Sequence, residues 1–389
     1  MSSPFAWRSV PSVFISIPFP PFFFSCEREC FSERKRLRKR LRSCYNSQND
    51  SSNSGVLFRG GFVAAKGAKE VSPMSRIVVV GSVNMDLVMQ APRLPVLGET
   101  LAAGPFVTAS GGKGANQAVA AARLGASVGM VGRVGDDAFG GALRLALEQE
   151  GIHVEHLLVS SGSSTGVASI FVVEGDNAIA IAPGANALLS PSDVRNAAPL
   201  FSDASCALFQ LEVPPETVLE GLRLAREKGV RTILNPAPWT TLSEEVLTLT
   251  DLFVPNRIEL AQFSGTEDLL EGALAALDRG VGAVVVTAGK DGAFLFERVG
   301  YGERPAHLAI APPRITAVDS TGAGDAFVAA LAVTLAEGGS LAEAVRFGTG
   351  AGACACLRLG AQPSLPRREE VERLLVDAAG ETAWTSAGK

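Results

Sequence analysis

Buried-strand patterns alternate with helix patterns through most of this chain, and that alternation limits the folds it can adopt. The strand-like runs are short and rich in Val, Ile and Leu: IVVVGSV, SVGMVGRVG, CALFQLEV, RTILNPAP, LFVPN and AVVVTAG. The helix patterns between them are NQAVAAARLG, FGGALRLALEQEG, PETVLEGLRLAREKG and RIELAQFSG. Strands separated by helices predict an α/β fold with a mainly parallel central sheet and helices on both of its faces.

Two segments depart from this rhythm because no helix pattern separates their strands. ETLAAGPFVTASGG and TGVASIFVVEGDNAIAIAPGAN alternate apolar and polar residues, as half-exposed antiparallel strands do. We expect them to form a small antiparallel β sheet over residues of about 87–110 and 165–183. Such a sheet, set beside the main one, would act as a lid that excludes water from a reaction.

Composition indicates a globular protein whose charge is unevenly distributed. Of its 389 residues, 47% are hydrophobic and 19% are charged. Residues 1–73 carry 12 Lys and Arg against 5 Asp and Glu, whereas the remaining residues carry 23 against 35. An acidic body argues against nucleic acid, and against an anionic membrane, as the main partner.

The basic head, residues 1–73, needs an explanation of its own. Its apolar run is shorter than the ~20 residues of a membrane-spanning helix, and Pro18, Pro20 and Pro21 interrupt it. Most of its positive charges follow that run, whereas a secretory signal places them before it. We expect an organelle transit peptide, with the plastid favoured over the mitochondrion, and a folded domain over residues 74–389. The alternative is a disordered basic tail that stays attached in the cytoplasm.

The cysteines and histidines of the body do not suggest a metal centre or a catalytic histidine. The three cysteines have apolar neighbours and lack the spacing of zinc ligands, so we expect buried thiols in a reducing compartment. These cysteines are Cys206, Cys354 and Cys356. The three histidines are scattered along the chain, at His153, His156 and His307.

Polar residues cluster where the predicted strands end. In open α/β sheets, ligands bind beyond the carboxyl ends of the strands, so we expect these side chains to converge on one rim. They are Asn84, Asp86, Glu212, Asn235, Asn256, Glu259, Thr287, Gly289, Asp319 and Asp325. Together with Asn116, the first three of these side chains can hydrogen-bond a polyhydroxylated molecule. The glycines of GGKGANQ would let the backbone approach it closely.

The stretch DSTGAGDAF places Gly322, Ala323 and Gly324 directly before Asp325 and a helix pattern. Backbone N–H groups at a helix N-terminus attract anions, and small side chains leave room for a phosphate to reach them. Asp325 would then stand beside the phosphate as a base. The simpler alternative is a Gly-rich turn whose Asp interacts with the helix dipole. The sequence has no GxxxxGK[ST] loop and no HRD or DFG motif, which excludes P-loop enzymes and protein kinases.

Two of these motifs resemble the signatures of the PfkB carbohydrate kinase family, namely GGKGANQAVAAARLG and DSTGAGDAF. GSVNMD, TGVASIFVVEGDNAI, NPAP, PNRIE and GAQPS are similar to the ribokinase branch of that family, in the expected order from about Met74 to Pro366. The resemblance implies a ribokinase-like fold and transfer of the γ-phosphoryl group of ATP to the 5-hydroxyl of D-ribose. It also implies that Asp325 is the catalytic base and that the amides of residues 322–325 form an anion hole.

The resemblance implies roles for further residues. At the sugar it places Asn84, Asp86, Gly111, Gly112, Lys113, Gly114, Asn116 and Glu212. At the nucleotide it places Asn256, Thr287, Ala288, Gly289, Lys290, Asp291, Gly292, Gly324 and Thr349, with Glu259 helping to hold Mg²⁺. Around a K⁺ ion it places Asp319, Thr321, Ala355, Arg358, Gly360 and Ser364, largely through backbone carbonyls. Lys113 either neutralises phosphate or is solvated, and GAQPS either belongs to the cation site or is only a turn.

The resemblance further implies a homodimer in which the lids of two chains pack together. Two alternatives remain open for the function: another sugar or nucleoside kinase of the PfkB family, and a non-catalytic organelle scaffold. GGKGANQA favours ribose, and a chain with only 2 Tyr and 3 Trp is poorly equipped to stack a nucleoside base. A scaffold would be expected to lose the base or the small residues of the anion hole, and both are retained.

Overall fold

The computed structural model describes residues 76–174, 176–298 and 306–386. The predicted transit peptide, residues 1–73, lies outside the described residues. Within the part of the chain that is described, no helix is long and apolar enough to cross a membrane.

The described strands belong to two sheets. In chain order they are β1 (Arg76–Val80), β2 (Asn84–Gln90), β3 (Phe106–Gly111), β4 (Ser127–Gly135), β5 (His153–Ser160), β6 (Gly166–Val173), β7 (Asp176–Ala182), β8 (Cys206–Phe209), β9 (Arg231–Leu234), β10 (Leu252–Phe253), β11 (Ala283–Thr287), β12 (Ala293–Glu297) and β13 (Ala306–Ile310).

The larger sheet has the strand order β13-β12-β11-β10-β9-β8-β1-β4-β5 over the described residues. Every neighbouring pair from β5 to β11 is parallel, and antiparallel pairs occur only at the edge that contains β12 and β13. Alternate residues of β1 face opposite sides, so Val79 packs into one hydrophobic core and Val78 into another. The expectation of a mainly parallel central sheet is confirmed.

Helices cover both faces of this sheet. They are α1 (Lys113–Arg123), α2 (Ala138–Gln149), α3 (Pro191–Asn196), α4 (Ala198–Phe201), α5 (Pro215–Lys228), α6 (Glu244–Thr248), α7 (Arg257–Ser264), α8 (Leu269–Asp278), α9 (Ala323–Ala336), α10 (Leu341–Ala355), α11 (Ala361–Ser364) and α12 (Arg368–Ser386). Residues of α1, α2, α9 and α10 pack in the core that contains Val79, whereas residues of α5, α6 and α8 pack in the core that contains Val78.

The smaller sheet has the order β3-β2-β6-β7 and corresponds to the predicted lid. Its outer pairs are antiparallel, as expected, and its central pair, β2 with β6, is parallel. This pairing follows from the chain path, because β2 follows β1 and β6 follows β5, and those two strands run in the same direction in the main sheet. The lid strands begin at 84 and 166 and end at 111 and 182, close to the predicted limits.

The central strand β1 lies between β8 and β4, which the chain reaches on opposite sides. Such a reversal of strand order opens a crevice at the carboxyl ends of the strands, where ligands bind in open α/β sheets. The residues that follow β1, β8 and β9 surround this crevice, and the start of α1 closes it from one side. The fold therefore brings the predicted polar strand ends to one rim.

Candidate active site

The segment after β1 is tied to the segment after β8 by a short polar network. The hydroxyl of Ser82 donates to Glu212 Oε2 at 2.5 Å, and the backbone N–H of Lys113 donates to the same oxygen at 3.1 Å. The N–H of Gly114 donates to the Ser82 hydroxyl at 3.3 Å. A side chain at Gly114 would collide with the backbone of Gly81 and Ser82. Glycine at this position therefore lets α1 begin directly against the rim.

Asn84 is buried at the base of the lid, where a second asparagine orients it. Asn186 Nδ2 donates to Asn84 Oδ1 at 2.7 Å, while Asn186 Oδ1 accepts from the backbone N–H of Val83 at 2.9 Å. Because Asn84 Oδ1 is occupied, its amide nitrogen is the group left to donate to a ligand. Asn186 lies in the 3₁₀ turn Gly184–Leu188, within the GAN segment.

Asp86 is a buried carboxylate in contact with Gly111, the first glycine of the GGKGANQ motif. A Cβ on Gly111 would collide with both of its carboxylate oxygens, and a Cβ on Gly112 would lie 2.7 Å from the backbone nitrogen of Asn84. Gly112 also has φ of 89°, a conformation that favours glycine. Burial, together with the carboxylates of Glu212 and Asp325, raises the pKa of Asp86 to about 7. Three acidic groups at one rim suit a ligand that offers several hydroxyl donors.

Asp325 lies in the first turn of α9 and is 7% exposed. Asn116 Nδ2 donates to its Oδ2 at 3.0 Å, and Gln117 Nε2 donates to its Oδ1 at 3.1 Å. Asn116 Oδ1 is buried without a hydrogen-bond partner within the described residues. An orphaned acceptor beside a buried carboxylate indicates that a ligand donor completes this site.

Lys113 is the cation of the site. Although burial opposes it, the surrounding carboxylates, of which Asp325 acts most strongly, raise the pKa of Lys113 above its usual range. Its ammonium group therefore stays charged at neutral pH. The phosphate-neutralising role of Lys113 stays a prediction.

The start of α9 has the geometry expected of an anion hole. Gly322 caps the helix with φ of 78°, in the left-handed region. Helix α11 packs against this cap, because a Cβ built on Gly322 would lie 3.3 Å from Ala361. The N–H of Ala323 donates to the carbonyl of Ser320 at 3.2 Å. The amides of Gly324 and Asp325 remain as first-turn donors without an intrahelical acceptor. A Cβ on Gly324 would meet no atom within 4 Å, so the space above these amides is open.

The predicted nucleotide residues lie at the ends of β10 and β11. Asn256 caps α7 in a capping box: its Oδ1 accepts from the N–H of Glu259 at 2.8 Å, and Glu259 Oε2 accepts from the N–H of Asn256 at 2.8 Å. Asn256 also pairs with Thr287 through a parallel β-bridge. The N-x-x-E spacing thus has a structural cause, since it is the spacing of a capping box. One oxygen of Glu259 remains for a metal or water.

A tight turn connects β11 to β12. The N–H of Ala288 donates to the carbonyl of Gly292 at 2.8 Å, and Gly289 to Asp291 form one turn of 3₁₀ helix. Gly292 has φ of 86°, and a side chain there would collide with the carbonyl of Ile310. Lys290 is exposed, and Asp291 pairs with Arg257 at 3.1 Å, so their side chains lie on the outer surface.

Thr349 is less closely connected to this turn. It is buried in α10, and its hydroxyl donates to the carbonyl of Arg346 at 2.7 Å. Helix α10 packs against β12 and β13, the strands that follow the turn. The structure therefore places Thr349 on a neighbouring element without showing a contact between it and the other nucleotide residues.

An electrostatic interaction connects Glu259, one of the predicted Mg²⁺ and phosphate residues, to Asp325. Burial raises the pKa of Glu259 above its usual range, although the backbone hydrogen bond from Asn256 and the charge of Lys113 act against this shift. Asp325 acts on the same group in the raising direction. Among the described residues no group of three or more His, Cys, Asp or Glu side chains could hold a metal ion alone. A Mg²⁺ here would need phosphate oxygens and water as its other ligands, as Mg²⁺ commonly has.

The loop before α9 is joined to the loop after α10 by Asp319. Its Oδ1 accepts from the N–H and the hydroxyl of Thr321 at 3.0 and 2.7 Å, and its Oδ2 accepts from the N–H of Gly360 at 2.8 Å. Although burial opposes it, these hydrogen bonds hold the pKa of Asp319 below its usual range. Ser364 donates to the carbonyls of Ala361 and Thr321, at 2.8 and 3.5 Å. One carboxylate among carbonyl and hydroxyl oxygens fits a large monovalent cation.

Two of the predicted cation residues, Ala355 and Arg358, have no side chain that can bind a cation, so only their backbone carbonyls could be ligands. Ala355 is buried at the end of α10, and the side chain of Arg358 is turned to Glu370, with which it forms an ion pair. A guanidinium cannot ligate a cation, so the carbonyl of Arg358 is the atom that the prediction requires.

Three buried amides near the site were not expected from the sequence: those of Gln117, Gln210 and Asn186. Gln117 is inside the motif GGKGANQ, next to a predicted sugar residue, and complete burial of a helical glutamine is unusual. Gln210 and Asn186 come 93 and 69 residues after Gln117. No local sequence pattern connects these three positions, and only the tertiary structure places them near the site.

Of the predicted buried thiols, Cys206 is on β8, whereas Cys356 borders the cation loop, where its carbonyl accepts from the N–H groups of Val318 and Asp319. Cys206 and Cys354 are buried, and Cys356 is partly buried, and all three are free. Burial raises the pKa of the Cys206 thiol to about 12 and that of the Cys354 thiol to about 11. Thiols of this kind are unreactive at neutral pH.

Comparison with known proteins connects this geometry to a family. Residues 74–368 match the pfkB family carbohydrate kinase. The chain is 39% identical over 302 residues to a ribokinase of Bacillus subtilis, covering 78% of this chain and 100% of that protein. It is 37% identical over 306 residues to a deoxyribokinase of Salmonella typhi, covering 77% of this chain and 98% of that protein. A solved structure, Arabidopsis thaliana ribokinase complexed with ribose and ATP, is 34% identical, with a TM-score of 0.70 over 78% of this chain and 99% of that one.

The fold and its polar rim are those of a kinase of small molecules, with a buried carboxylate in the first turn of a helix that begins with small residues. The chain belongs to the pfkB family of carbohydrate kinases. The ribokinase-like fold expected from the sequence is confirmed, as is the expectation of a kinase.

Proposed function

We propose that the protein transfers the γ-phosphoryl group of ATP to the 5-hydroxyl of D-ribose, giving D-ribose 5-phosphate. The observation that carries the proposal is the position of Asp325. Its buried carboxylate is held by Asn116 and Gln117, it is close enough to Asp86 to raise the pKa of that group, and it belongs to the helix turn that begins with the open Gly324. The relatives from B. subtilis and A. thaliana, both named as ribokinases, support ribose as the sugar.

The residues divide the reaction between them. Asp86, Glu212 and Asn84 hold sugar hydroxyls, and Asp325 accepts the proton of the hydroxyl that attacks phosphorus. The open amides at the start of α9 and the ammonium of Lys113 stabilise charge on the phosphoryl oxygens as the bond to ADP breaks. Such positioning and electrostatic effects provide most of the catalysis in phosphoryl transfer.

A substrate panel tests the proposal. Purified protein is given ATP and Mg²⁺ with ribose, 2-deoxyribose, fructose or a nucleoside, and the phosphorylated product is identified by mass spectrometry and NMR. We expect the highest kcat/KM for ribose with phosphate on the 5-oxygen. A higher kcat/KM for any other acceptor would replace ribose as the substrate, and no phosphorylation of any acceptor would favour the non-catalytic scaffold.

The second candidate substrate is 2-deoxyribose, because one relative is a deoxyribokinase at 37% identity. The two sugars differ by a single hydroxyl. A site that hydrogen-bonds the 2-hydroxyl discriminates strongly against its loss, since the buried acceptor is then left without a donor. The ratio of kcat/KM for the two sugars separates the candidates.

Two ions complete the proposal. Glu259 would hold Mg²⁺ together with the phosphates of ATP, and the segments 319–321 and 355–364 would hold K⁺ through backbone carbonyls, with Asp319 as their single charge. The Mg²⁺ neutralises phosphate charge. The side chain of Glu259 contributes one oxygen, since the other accepts from Asn256.

We also propose that two chains associate through the lid. Phe106, Val107, Ile179 and Ile181 are each about half exposed or more in the isolated chain. Val107 and Ile179 lie in one cross-strand row with Val88 and Ile170. This row gives the lid an apolar face that a second lid would cover.

For location, we propose import into an organelle, with the plastid favoured over the mitochondrion. The basic and Ser-rich composition of residues 1–73 supports it. A fluorescent fusion to these residues tests it, and a cytosolic signal with the head retained on the mature protein would contradict it.

A further inference from the structure

A chain of buried amides reaches Asp325 at Oδ1, the oxygen that Asn116 does not bind. Gln117 and Gln210 are both fully buried, so neither side chain is accessible from solvent. Gln210 Nε2 donates to Gln117 Oε1 at 2.6 Å, and Gln117 Nε2 donates in turn to Asp325 Oδ1 at 3.1 Å. Gln117 Nε2 also lies 3.3 Å from Asn235 Oδ1. These bonds connect the ends of β8 and β9 to the start of α9.

The direction of each bond in this chain is determined by its neighbour. Asn235 Nδ2 donates to the carbonyl of Val254 at 2.9 Å, which leaves Asn235 Oδ1 as an acceptor facing Gln117. Gln210 occupies Gln117 Oε1 with a donor. Gln117 can therefore present only its NH₂ group to the carboxylate, and a neutral amide holds a carboxylate without cancelling its charge.

Asn116 and Gln117 divide the two oxygens of Asp325 between them. Asn116 binds Oδ2 and keeps an unpartnered Oδ1, whereas the amide oxygen of Gln117 is occupied by protein. Consecutive helical residues point about 100° apart, which allows one to face the ligand and the other to face the interior. The two neighbours therefore have different tasks.

We propose that Gln117, oriented by Gln210, is a positioning residue that holds the Asp325 carboxylate aimed at the attacking sugar hydroxyl. The inference rests on the proposed function, in which Asp325 is the base. Without the hydrogen bond from Gln117, Asp325 would keep one side-chain donor, Asn116. The carboxylate could then rotate more freely, and its attraction to the ammonium group of Lys113 could turn it away from the sugar. A loosely held base loses catalysis because reacting groups must be aligned before proton transfer.

The pH dependence of the variant depends on every charged group that acts on this carboxylate. Those groups are Asp86 from β2, Lys113 from α1 and Glu259 from α7, and Glu212, from the segment after β8, acts in turn on Asp86 and Lys113. None of them is bonded to Gln117. Removing Gln117 therefore changes a hydrogen bond to Asp325 and leaves the four charges in place. A carboxylate that loses a donor is protonated more readily, so the acid limb of the turnover–pH profile should move to higher pH.

The test is steady-state kinetics on the full-length protein with ATP and ribose across pH, for wild type, Gln117→Leu, Gln210→Met and Thr250→Val. We expect Gln117→Leu to lower kcat about 10- to 100-fold, to change the KM for sugar by less than ~3-fold, and to move the acid limb to higher pH. Gln210→Met should lie between this variant and wild type. It does not touch Asp325, and it also removes Gln210 Oε1, which has no partner within the described residues.

Thr250→Val is the matched control for loss of a buried hydrogen bond. Thr250 is 1% exposed, and its hydroxyl donates to the carbonyl of Val246 at 2.7 Å. It precedes β10, so it lies at the amino-terminal end of that strand, opposite the carboxyl ends that carry the site. The variant should lower the thermal midpoint while leaving kcat and the pH profile unchanged. Equal losses of kcat in this control and in Gln117→Leu would overturn the proposal.

Two further results separate this inference from the proposed function. If Gln117→Leu folds and keeps wild-type kcat and pH profile while Asp325→Asn is inactive, the positioning role is wrong and the base assignment stands. If Asp325→Asn is itself active, both fail. Should Gln117→Leu not fold, Gln210→Met decides, and a wild-type kcat and pH profile in that variant would overturn the inference.

Discussion

The floor of the site and the lid above it treat their side chains in opposite ways. The floor, defined here as residues 84, 86, 116, 117, 212 and 325, includes the buried start of lid strand β2 and places polar and charged groups in the interior, with Asn84 only 2% exposed. The outer part of the lid exposes apolar groups, with Val107 57% and Ile179 56% exposed. Each arrangement is unfavourable in an isolated chain, since buried charges lose hydration and exposed apolar surface contacts water. The difference indicates that the floor binds a polar ligand, whereas the exposed part of the lid packs against an apolar surface.

The largest effect should come from removing the base in the floor. Asp325→Asn keeps the shape of the side chain and its bond from Asn116, but it cannot accept the proton of the attacking hydroxyl. General base catalysis contributes typically 10²–10⁴-fold, so kcat should fall by about that factor while the KM for sugar changes little. Steady-state kinetics measures both values.

Asp203→Asn is a suitable control, because Asp203 is an exposed partner of Arg76 at the far end of β1. It should leave kcat unchanged. Turnover of Asp325→Asn close to that of wild type would remove Asp325 from the chemistry and with it the argument that the floor is organised around a base.

The second prediction concerns the cost of the floor in stability. The folded-state pKa of Asp86, about 7, lies above its ordinary value of 3.8, so the folded protein holds this proton more tightly than the unfolded chain does. Stability from this group is therefore lost as pH rises from about 4 to about 7, and the full cost is present above pH 7. Asp86→Asn should raise the free energy of unfolding at pH 8 by on the order of a few kcal/mol, with a smaller gain at pH 5.

The same variant should bind ribose far more weakly, because the amide NH₂ replaces an acceptor of sugar hydroxyls. Urea unfolding at pH 5 and pH 8 measures the first effect, and calorimetric titration with ribose measures the second. A stability gain that is the same at both pH values would show that the burial of charge at Asp86 is not its cause.

The sequence predicted the members of the floor better than their connections. Asn84, Asp86 and Glu212 could be found because each follows a strand-like run, and the carboxyl ends of parallel strands share one edge. The link from Gln210 through Gln117 to Asp325 could not be found, since it joins residues 93 and 208 positions apart and no local pattern pairs Gln210 with the motif GGKGANQ. Strand pattern specifies which face is buried, and tertiary structure decides which side chains meet.

The lid shows the same limit in a different form. Alternation in TGVASIFVVEGDNAIAIAPGAN predicted two strands and their antiparallel pairing, which β6 and β7 have. The parallel pairing of β2 with β6 depends on where the two strands leave the main sheet, and a period of two residues carries no information on strand direction. The exposed apolar row became visible only when the register was known.

The third prediction tests the cover of the lid. Ile179→Asp places a charge on the edge strand β7, at the exposed end of the cross-strand row that runs through Ile170 and Val88 to Val107. Burying an unpaired carboxylate in an apolar interface is unfavourable, so the variant should be monomeric at micromolar concentration where wild type is dimeric. Light scattering coupled to size exclusion measures the mass.

Leu145→Asp is the matched control, since Leu145 is 54% exposed on α2 and away from the lid. It should remain dimeric. A monomeric wild-type protein would show that the lid needs no second chain, and the exposed row would then have to be covered by the lid closing over the site.

The smallest expected effect concerns the cation loop, residues 319–321 and 355–364, which lies outside the floor and would act on it only through the start of α9. Asp319 holds Thr321 and Gly360 in place, and Thr321 directly precedes the cap residue of α9, so an ion here would act by fixing the backbone of the anion hole. With Mg²⁺ held constant, K⁺ should raise kcat roughly 10-fold over Na⁺ or a bulky organic cation. This change in kcat is smaller than the one expected for Asp325→Asn, because only the alignment of the anion hole is affected.

Asp319→Asn should lose most of this stimulation, because it removes the single negative charge of the site. Arg358→Ala should keep it, since the Arg358 side chain pairs with Glu370 and only its carbonyl is required. Equal activity of wild type in all three salts would show that the loop stabilises the anion hole through the hydrogen bonds of Asp319 alone.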